Sequence, residues 1–546
     1  MQSTSSSSRQ PASLPQAIVG FIRQHPAAIV IGLLIIIFCF HFATLLNYPK
    51  PGCDESFYGR TALLYTQAIQ DGEAWPPPGV LFFVPHGRSY WLVLSGAFAL
   101  LGQTLFAARL VSLAGLIALT AATYAVGALY VSRKTGAWSA ILVSLTWLSL
   151  FAGHYARPDI LAGAAVTATI ALLQLTLTRQ KTWLYIAFGL AVALQLDVHL
   201  NLVHFVLPIL AVVAARFYQQ RAFRPALWVG LGLTVGAVIV GIIHLGSSLE
   251  VATTVLTGNP ITFIDSYGGS SSSPGFTAII AESISSFANF WWTYYAWQTP
   301  LLSLPQAGLF VLGLANALVS RDYKLRALAV IIILSSLTYA VVNRNYQLLG
   351  YSILWLPLYI VLGVAALEQL ALRLTRRRKA PINVASIALT LLAVLYATGD
   401  IYLVRMPLTR IYEANAQATL NKVKPGARVL TGAMWWYSMK DRVVFLDDTL
   451  VAPPGSNLWW QSPMKLTADE VEAALEIDAP NRTVVSVAEQ LAMLKPDYII
   501  DDNRIGCNRN PDSLSLALTD YVSRNYRLIG TNSSEFGGDQ SIYAAP

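Results

Sequence analysis

The sequence predicts a mainly α protein: a polytopic membrane helical bundle of about eleven spans, followed by a small C-terminal α/β domain. Three observations predict it. Hydrophobic residues make up 55% of the 546 positions and charged residues 12%. That is about half the charged share of a soluble domain, so most of the chain cannot face water. Apolar runs close to spanning length recur from residue 27 to residue 403. Beyond residue 403 they stop, and the polar remainder carries short strand-like segments.

Segment 1–25 is read as a disordered cytoplasmic N-terminus, because its serine-rich start cannot bury a core. A span needs about 20 apolar residues. Runs of that kind lie near 27–46, 107–130, 136–153, 160–177, 183–197, 200–215, 226–245, 300–319, 327–342, 351–371 and 383–403. The first is long for a signal segment and no small-residue cleavage pattern follows it, so it reads as a retained span.

Lysine and arginine set the orientation. With the N-terminus in the cytoplasm, alternate loops hold Arg133 and Lys134, Arg179 and Lys181, Arg216, Arg221 and Arg224, then Arg321, Lys324 and Arg326. The last such loop holds Arg373, Arg376, Arg377, Arg378 and Lys379. The opposite face has few basic residues and most of the acids. An odd span count then puts the C-terminus outside. The expected organisation is a transmembrane domain over 26–403, with a first outer loop at 47–106, and a soluble extracytoplasmic domain over 404–546. The expected location is the plasma (inner) membrane. The net charge of +8 does not indicate nucleic acid, since the basic residues sit in short clusters between apolar runs.

In the tail, strand-like runs occupy 428–431, 443–446, 498–500 and 526–529, with a helix-like segment at 468–475. Asp447-Asp448 and Asp501-Asp502 follow apolar strands. They suit a divalent cation, but carboxylates are common at strand ends. Of three cysteines, Cys39 lies in the first span. Cys53 and Cys507 lie in polar segments on one side, and two free thiols are the simpler expectation. The long loop 246–299 ends in Phe290, Trp291, Trp292, Tyr294, Tyr295 and Trp297, which reads first as an interfacial aromatic belt and second as the lining of a lipid or sugar groove.

The first outer loop is the most informative segment. Pro49, Pro51 and Gly52 end the first span, and a helical stretch at 55–69 follows the adjacent acids Asp54 and Glu55. Pro85-His86-Gly87-Arg88-Ser89-Tyr90-Trp91 comes next, and the apolar run 90–101 is too short to span, so it is expected to lie in the interface plane. A surface carboxylate can take a proton from a hydroxyl, and nearby arginines can hold a departing phosphate. Capping of the following helix is the structural reading of the same acids. Further candidates lie at the edges of later spans: Arg157 and Asp159 in His154-Tyr-Ala-Arg-Pro-Asp159, Asp197 and His199 in the fifth–sixth hairpin, and Arg344, Tyr346 and Tyr351 after the ninth of the listed runs. Exterior arginines are few, and a guanidinium suits a phosphate because its donors form a fixed fork. Arg157 and Asp159 can also simply pair with each other. No zinc-ligand spacing, phosphate-binding glycine loop or nucleophile elbow is present.

The order of these elements resembles a known family. An apolar first span is followed by Asp54-Glu55, a Tyr-Trp run, Ala108-Arg109-Leu110, a cytoplasmic basic turn and Ala156-Arg-Pro-Asp159. This looks like the membrane glycosyltransferases of the GT-C fold, and is similar in particular to protein O-mannosyltransferases and the lipid A aminoarabinose transferase. The resemblance covers roughly 25–370. It implies inverting transfer of a sugar from a polyprenyl- or dolichyl-phosphate donor, on the exterior face, to a protein, lipid or polysaccharide acceptor. It implies Asp54 as the base or acceptor-orienting group, and the residue pattern itself adds Glu55 and Asp159 as candidate catalytic acids. It implies Arg344 on the carrier phosphate; Tyr346 and Tyr351 near it, and Arg157 shaping the cavity with Asp54, are candidates read from the residues themselves. The resemblance implies no obligatory cofactor; some members of the family use a divalent cation, which stays open here although no residue pattern indicates one. Two departures stand out. Asp197-Val-His199 replaces a lysine, and His86-Gly-Arg88 replaces a Pro-Pro, so His86, Arg88 and His199 are expected to serve as alternative phosphate or substrate contacts. A transporter or lipid-carrier flippase is the competing class, and would show inverted repeats with charges at the midplane.

Overall fold

The computed structural model describes residues 26–71, 88–245, 276–297, 299–342, 349–378, 384–447, 491, 494–501, 521–534 and 538–546. The chain is a multi-pass membrane bundle with a small sheet domain at its C-terminal end. Its helices run α1 (Pro26–Ala43), α2 (Cys53–Asp71), α3 (Arg88–Leu101), α4 (Leu105–Tyr130), α5 (Arg133–Leu145), α6 (Trp147–Gly153), α7 (Asp159–Arg179) and α8 (Thr182–Val198). They continue as α9 (Val203–Gln220), α10 (Phe223–Leu245), α11 (Phe276–Trp291), α12 (Pro300–Val319), α13 (Tyr323–Val342), α14 (Leu356–Arg378), α15 (Val384–Val404) and α16 (Leu408–Leu420).

Every expected apolar run is helical. Among the described residues eight helices are long and apolar enough to cross a membrane, or nine if the bent pair α5–α6 counts as one span. The other two expected spans are α1 and α8, of 18 and 17 residues. At ~1.5 Å per residue these fall slightly short of a ~30 Å hydrocarbon core. The run 136–153 was expected to be one continuous span, and it is not. It breaks by 64° between α5 and α6. Thr146 is the cause: its backbone is extended and its hydroxyl accepts the Ser149 N–H at 3.3 Å, capping a new helix.

Small residues let the helices approach closely. A Cβ on Gly127 of α4 would lie 2.6 Å from Gly136 of α5, and one on Gly313 of α12 would lie 2.5 Å from Gly363 of α14. The aromatic cluster after α11 departs from the interfacial belt expected of it. A π-helical turn over Trp292–Trp297 leaves Trp292 half exposed but swings Tyr295 inward, against Phe310 and Tyr359. Phe290 packs on Tyr339 and Trp355. The Tyr295 hydroxyl donates to the Ser352 carbonyl, which fixes a 3-10 turn at Leu349–Leu354.

The C-terminal sheet has the order β2-β1-β3-β5-β4, with β1 (Arg428–Thr431), β2 (Val444–Asp447), β3 (Tyr498–Asp501), β4 (Arg527–Ser534) and β5 (Gly538–Ala544). β1 pairs in parallel with β2 and β3, and β5 lies antiparallel between β3 and β4. The four expected strands are present. Strand β5 and helix α16 were not anticipated, because Gly538-Asp-Gln-Ser breaks the apolar signal and α16 buries only a narrow stripe that includes Tyr412 and Ala416. The helix-like segment 468–475 lies outside the described residues, as do Asp448 and Asp502. Cys53 is disulfide-bonded and Cys39 is free, which corrects the expectation of a free Cys53; Cys507 lies outside the described residues.

Candidate active site

Helix α2 starts directly after the Pro49–Gly52 break, and its first turn carries both acids, where the helix dipole favours negative charge. Neighbours on a helix point about 100° apart, and the two acids accordingly part company. Glu55 faces inward and is fully buried. Arg109 donates to its two oxygens from Nε (2.8 Å) and Nη2 (2.9 Å). The backbone N–H groups of Ala156 and Gly52 add bonds of 2.9 and 3.1 Å. Arg109 also donates to the carbonyls of Leu45 and Pro49 and to the Thr409 hydroxyl. Glu55 was expected among the catalytic acids; with both oxygens doubly engaged and no solvent contact, its place is that of a structural anchor.

Asp54 points the other way, and its side chain is 44% exposed. The buried Arg157 donates to it from Nη1. The same guanidinium donates from Nε to Asp159 Oδ2 at 2.5 Å. Asp159 sits in the first turn of α7, after Pro158. Its other oxygen lies 3.8 Å from His199 Nε2. His199 Nδ1 accepts the Asn201 N–H at 3.0 Å, so the neutral ring carries its proton on Nε2, facing Asp159. Burial, then the charges of Arg157 and His204, lower the His199 pKa to about 3, which keeps the ring neutral near pH 7. Tyr351 completes the group: its ring lies under the Arg157 guanidinium at 5.8 Å and edge-on to His199 at 5.6 Å.

Four separate chain segments thus converge, and they bring together Asp54, Arg157, Asp159, His199 and Tyr351. With one guanidinium, two carboxylates and a neutral imidazole, this group carries a net charge of −1, and its exposed member is a carboxylate. Asp197 accepts from the Ser89 N–H (3.2 Å) and hydroxyl, so the α8–α9 hairpin holds the start of α3 with one residue and faces Asp159 with another. Arg88 opens α3, but its side chain lies outside the described residues, as do His86, Arg344 and Tyr346. Among the described residues no three His, Cys, Asp or Glu side chains converge on a metal site.

Sequence reasoning missed several supporting residues. Arg109 was signalled by a cation inside an apolar run. Arg60 of α2, Trp436 and Tyr437, which hold that helix against the C-terminal domain, and the buried pair His41–His154 (2.9 Å) gave no local signal. His154 Nδ1 bonds the Tyr48 carbonyl at 3.0 Å, fixing the chain just before α2.

No family model matches the chain, and no curated protein matches it in sequence. Solved structures do match. ArnT from Cupriavidus metallidurans bound to undecaprenyl phosphate has a TM-score of 0.56 at 15% identity, over 95% of this chain and 98% of that one. The apo form of the same protein matches with a TM-score of 0.56 at 15% identity, over 97% and 98%. The Archaeoglobus fulgidus oligosaccharyltransferase in complex with Zn and sulfate has a TM-score of 0.51 at 13% identity, over 94% of this chain and 73% of that one. At these identities the likeness is one of fold, and the fold of this chain is the GT-C membrane bundle that the order of its motifs resembles.

Proposed function

We propose that the protein is an integral membrane glycosyltransferase that moves a sugar from a polyprenyl-phosphate donor to an acceptor hydroxyl. The observation that carries this reading is the half-exposed Asp54 held by a buried Arg157, at one end of a fold that matches a transferase bound to undecaprenyl phosphate over nearly its whole length. The acceptor oxygen attacks the anomeric carbon while the bond from that carbon to the phosphate oxygen breaks. The acceptor proton passes to Asp54, and the carrier leaves as its phosphate. Asp54 suits the proton step because it is reached from solvent and fixed on its other side.

Arg157 is already shared by two carboxylates, so it orients rather than binds the phosphate. Cations for the leaving group come, on this reading, from Arg88 and Arg344, with His86 and Tyr346 beside them. No step is routed through a metal. The reaction takes place on the extracytoplasmic face of the plasma (inner) membrane, in keeping with the basic loops on the opposite side. The acceptor is a protein, lipid or polysaccharide.

The test is transfer from radiolabelled polyprenyl-phosphate sugars by the protein in nanodiscs, with membrane extract as acceptor source, comparing wild type with Asp54→Asn. Transfer or slow donor hydrolysis that the substitution abolishes supports the reading. Equal rates in both proteins remove Asp54 from the chemistry.

A further inference from the structure

The C-terminal domain does not stand apart from the 47–106 loop. It grips α2 within two turns of Asp54. The Tyr437 hydroxyl donates to the Glu55 carbonyl at 3.2 Å, and burial pushes its phenol well above the usual range, so it remains a donor. Gly59 lies one turn further on, and the Tyr437 ring rests where a side chain would stand. A Cβ there would sit 2.1 Å from the Tyr437 oxygen and 2.9 Å from Trp436. Arg60, nearly buried, has its guanidinium 4.5 Å from the Phe445 ring and 5.6 Å from that of Trp436.

A second set of contacts holds the chain just before α2. The Leu408 N–H donates to the Asn47 carbonyl at 3.0 Å, and the Asn47 amide donates to the Val404 carbonyl at 3.0 Å. Arg109, which anchors Glu55, also reaches Thr409. The residue after Asp54 is therefore fixed by its carbonyl to Tyr437, and by its carboxylate to an arginine that Thr409 helps to hold. Across the helix Asp54 has one described partner, Arg157. The rotation of the first turn of α2 decides whether Asp54 meets Arg157, and the C-terminal domain contributes to setting that rotation.

We propose that Tyr437 is a positioning residue for Asp54, acting through the Glu55 carbonyl and the bare backbone of Gly59, so that the C-terminal domain is a working part of the site. This rests on the transferase reading. Small displacements of a reacting group are costly, about 100-fold in rate for an ångström, which is what makes such a contact consequential.

The test uses the full chain in nanodiscs with Tyr437→Phe, which keeps the ring and removes only the donor, and Gly59→Ala, which forces the ring away. The expected result is a fall in kcat of about 10-fold for the first and about 100-fold for the second, with donor KM and the stoichiometry of polyprenyl-phosphate binding at wild-type values. Wild-type kcat in both variants overturns the proposal. So does a kcat that falls only in proportion to binding stoichiometry, which would mean that the domain merely stabilises the fold. If wild type itself transfers no sugar, the transferase reading is what has failed. Amide exchange over residues 53–60 then remains as a separate check: faster exchange in Tyr437→Phe supports the grip on α2, and unchanged exchange overturns it.

Discussion

Arg157 joins two carboxylates that live in different surroundings: Asp54, with a side chain 44% exposed, and Asp159, 3% exposed. One guanidinium edge serves each acid, a geometry that an ammonium cannot reproduce. The exposed acid can meet a substrate, and the buried one fixes the arginine. Asp54→Asn is expected to lower kcat by roughly 10²–10⁴-fold, the range for losing a general base. Asp159→Asn is expected to cost less, because the asparagine oxygen still accepts from Nε. Arg157→Lys is expected to cost more than Asp159→Asn, since it cannot reach both acids. Rates at saturating donor check the order, and equal losses for Asp54→Asn and Asp159→Asn would contradict the division of roles.

The Glu55–Arg109 pair is fully buried, and its value lies in both partners being present. Arg109→Met leaves a buried carboxylate without its counter-charge and is expected to destabilise the protein by about 3–5 kcal/mol. The double variant Glu55→Met with Arg109→Met should lose less than Arg109→Met alone, because no charge is stranded. Arg109→Lys should rescue poorly: it has to replace two bonds to the carboxylate and others to Leu45 and Pro49. Denaturation midpoints in detergent measure all three. A double variant less stable than the single would show that the pair is not the local anchor.

The sequence placed Asp54, Arg157, Asp159, His199 and Tyr351 on one side of the membrane, because each lies where an apolar run gives way to a polar loop. Their convergence follows from span order, which hydropathy reads well. The separate fates of Asp54 and Glu55 depend on helix phase, and two adjacent acids look alike until the phase is known. The break at Thr146 was not legible, because one capping hydroxyl inside an apolar run barely changes its hydropathy. Tyr437 reaches Glu55 across 382 positions, a contact that no local pattern carries. Asp400 was equally hidden: a buried acid inside α15, overlooked because a single charge barely lowers the hydropathy of a long run.

His199 sets a pH dependence of stability. Its pKa is lowered from 6.5 to about 3 in the folded protein. Below about 6.5 the unfolded chain binds a proton that the folded ring refuses, so stability falls as pH drops from about 6.5 towards 3. Replacing the ring with a non-titrating amide, His199→Gln, removes this contribution. Going from pH 7 to pH 5, the variant should lose about 2 kcal/mol less than wild type. Thermal inactivation across that range in nanodiscs provides the measurement. Parallel curves for the two proteins would mean that His199 takes up its proton equally in the folded and unfolded chain, and a wild type that gains on the variant as pH falls would mean that it pairs with Asp159 as a cation.

Gly350 lies in the 3-10 turn directly before Tyr351, and the turn leaves it no room for a side chain. A Cβ would stand 2.4 Å from Asp159 Oδ2 and 3.4 Å from Arg157 Nε. Gly350→Ala therefore has to push Asp159 off Arg157 or shift the turn that carries Tyr351. Either loosens the group that holds Asp54, and a fall in kcat of about 100-fold is expected for a displacement near 1 Å. The two routes are separable. Asp159→Ala removes the atoms that the new methyl would strike, so if the first route operates, Gly350→Ala with Asp159→Ala should be no slower than Asp159→Ala alone. Residues in contact couple in this way, whereas independent ones add. Losses that multiply in the double variant would instead place the effect of Gly350 in Tyr351 and its contacts with Arg157 and His199.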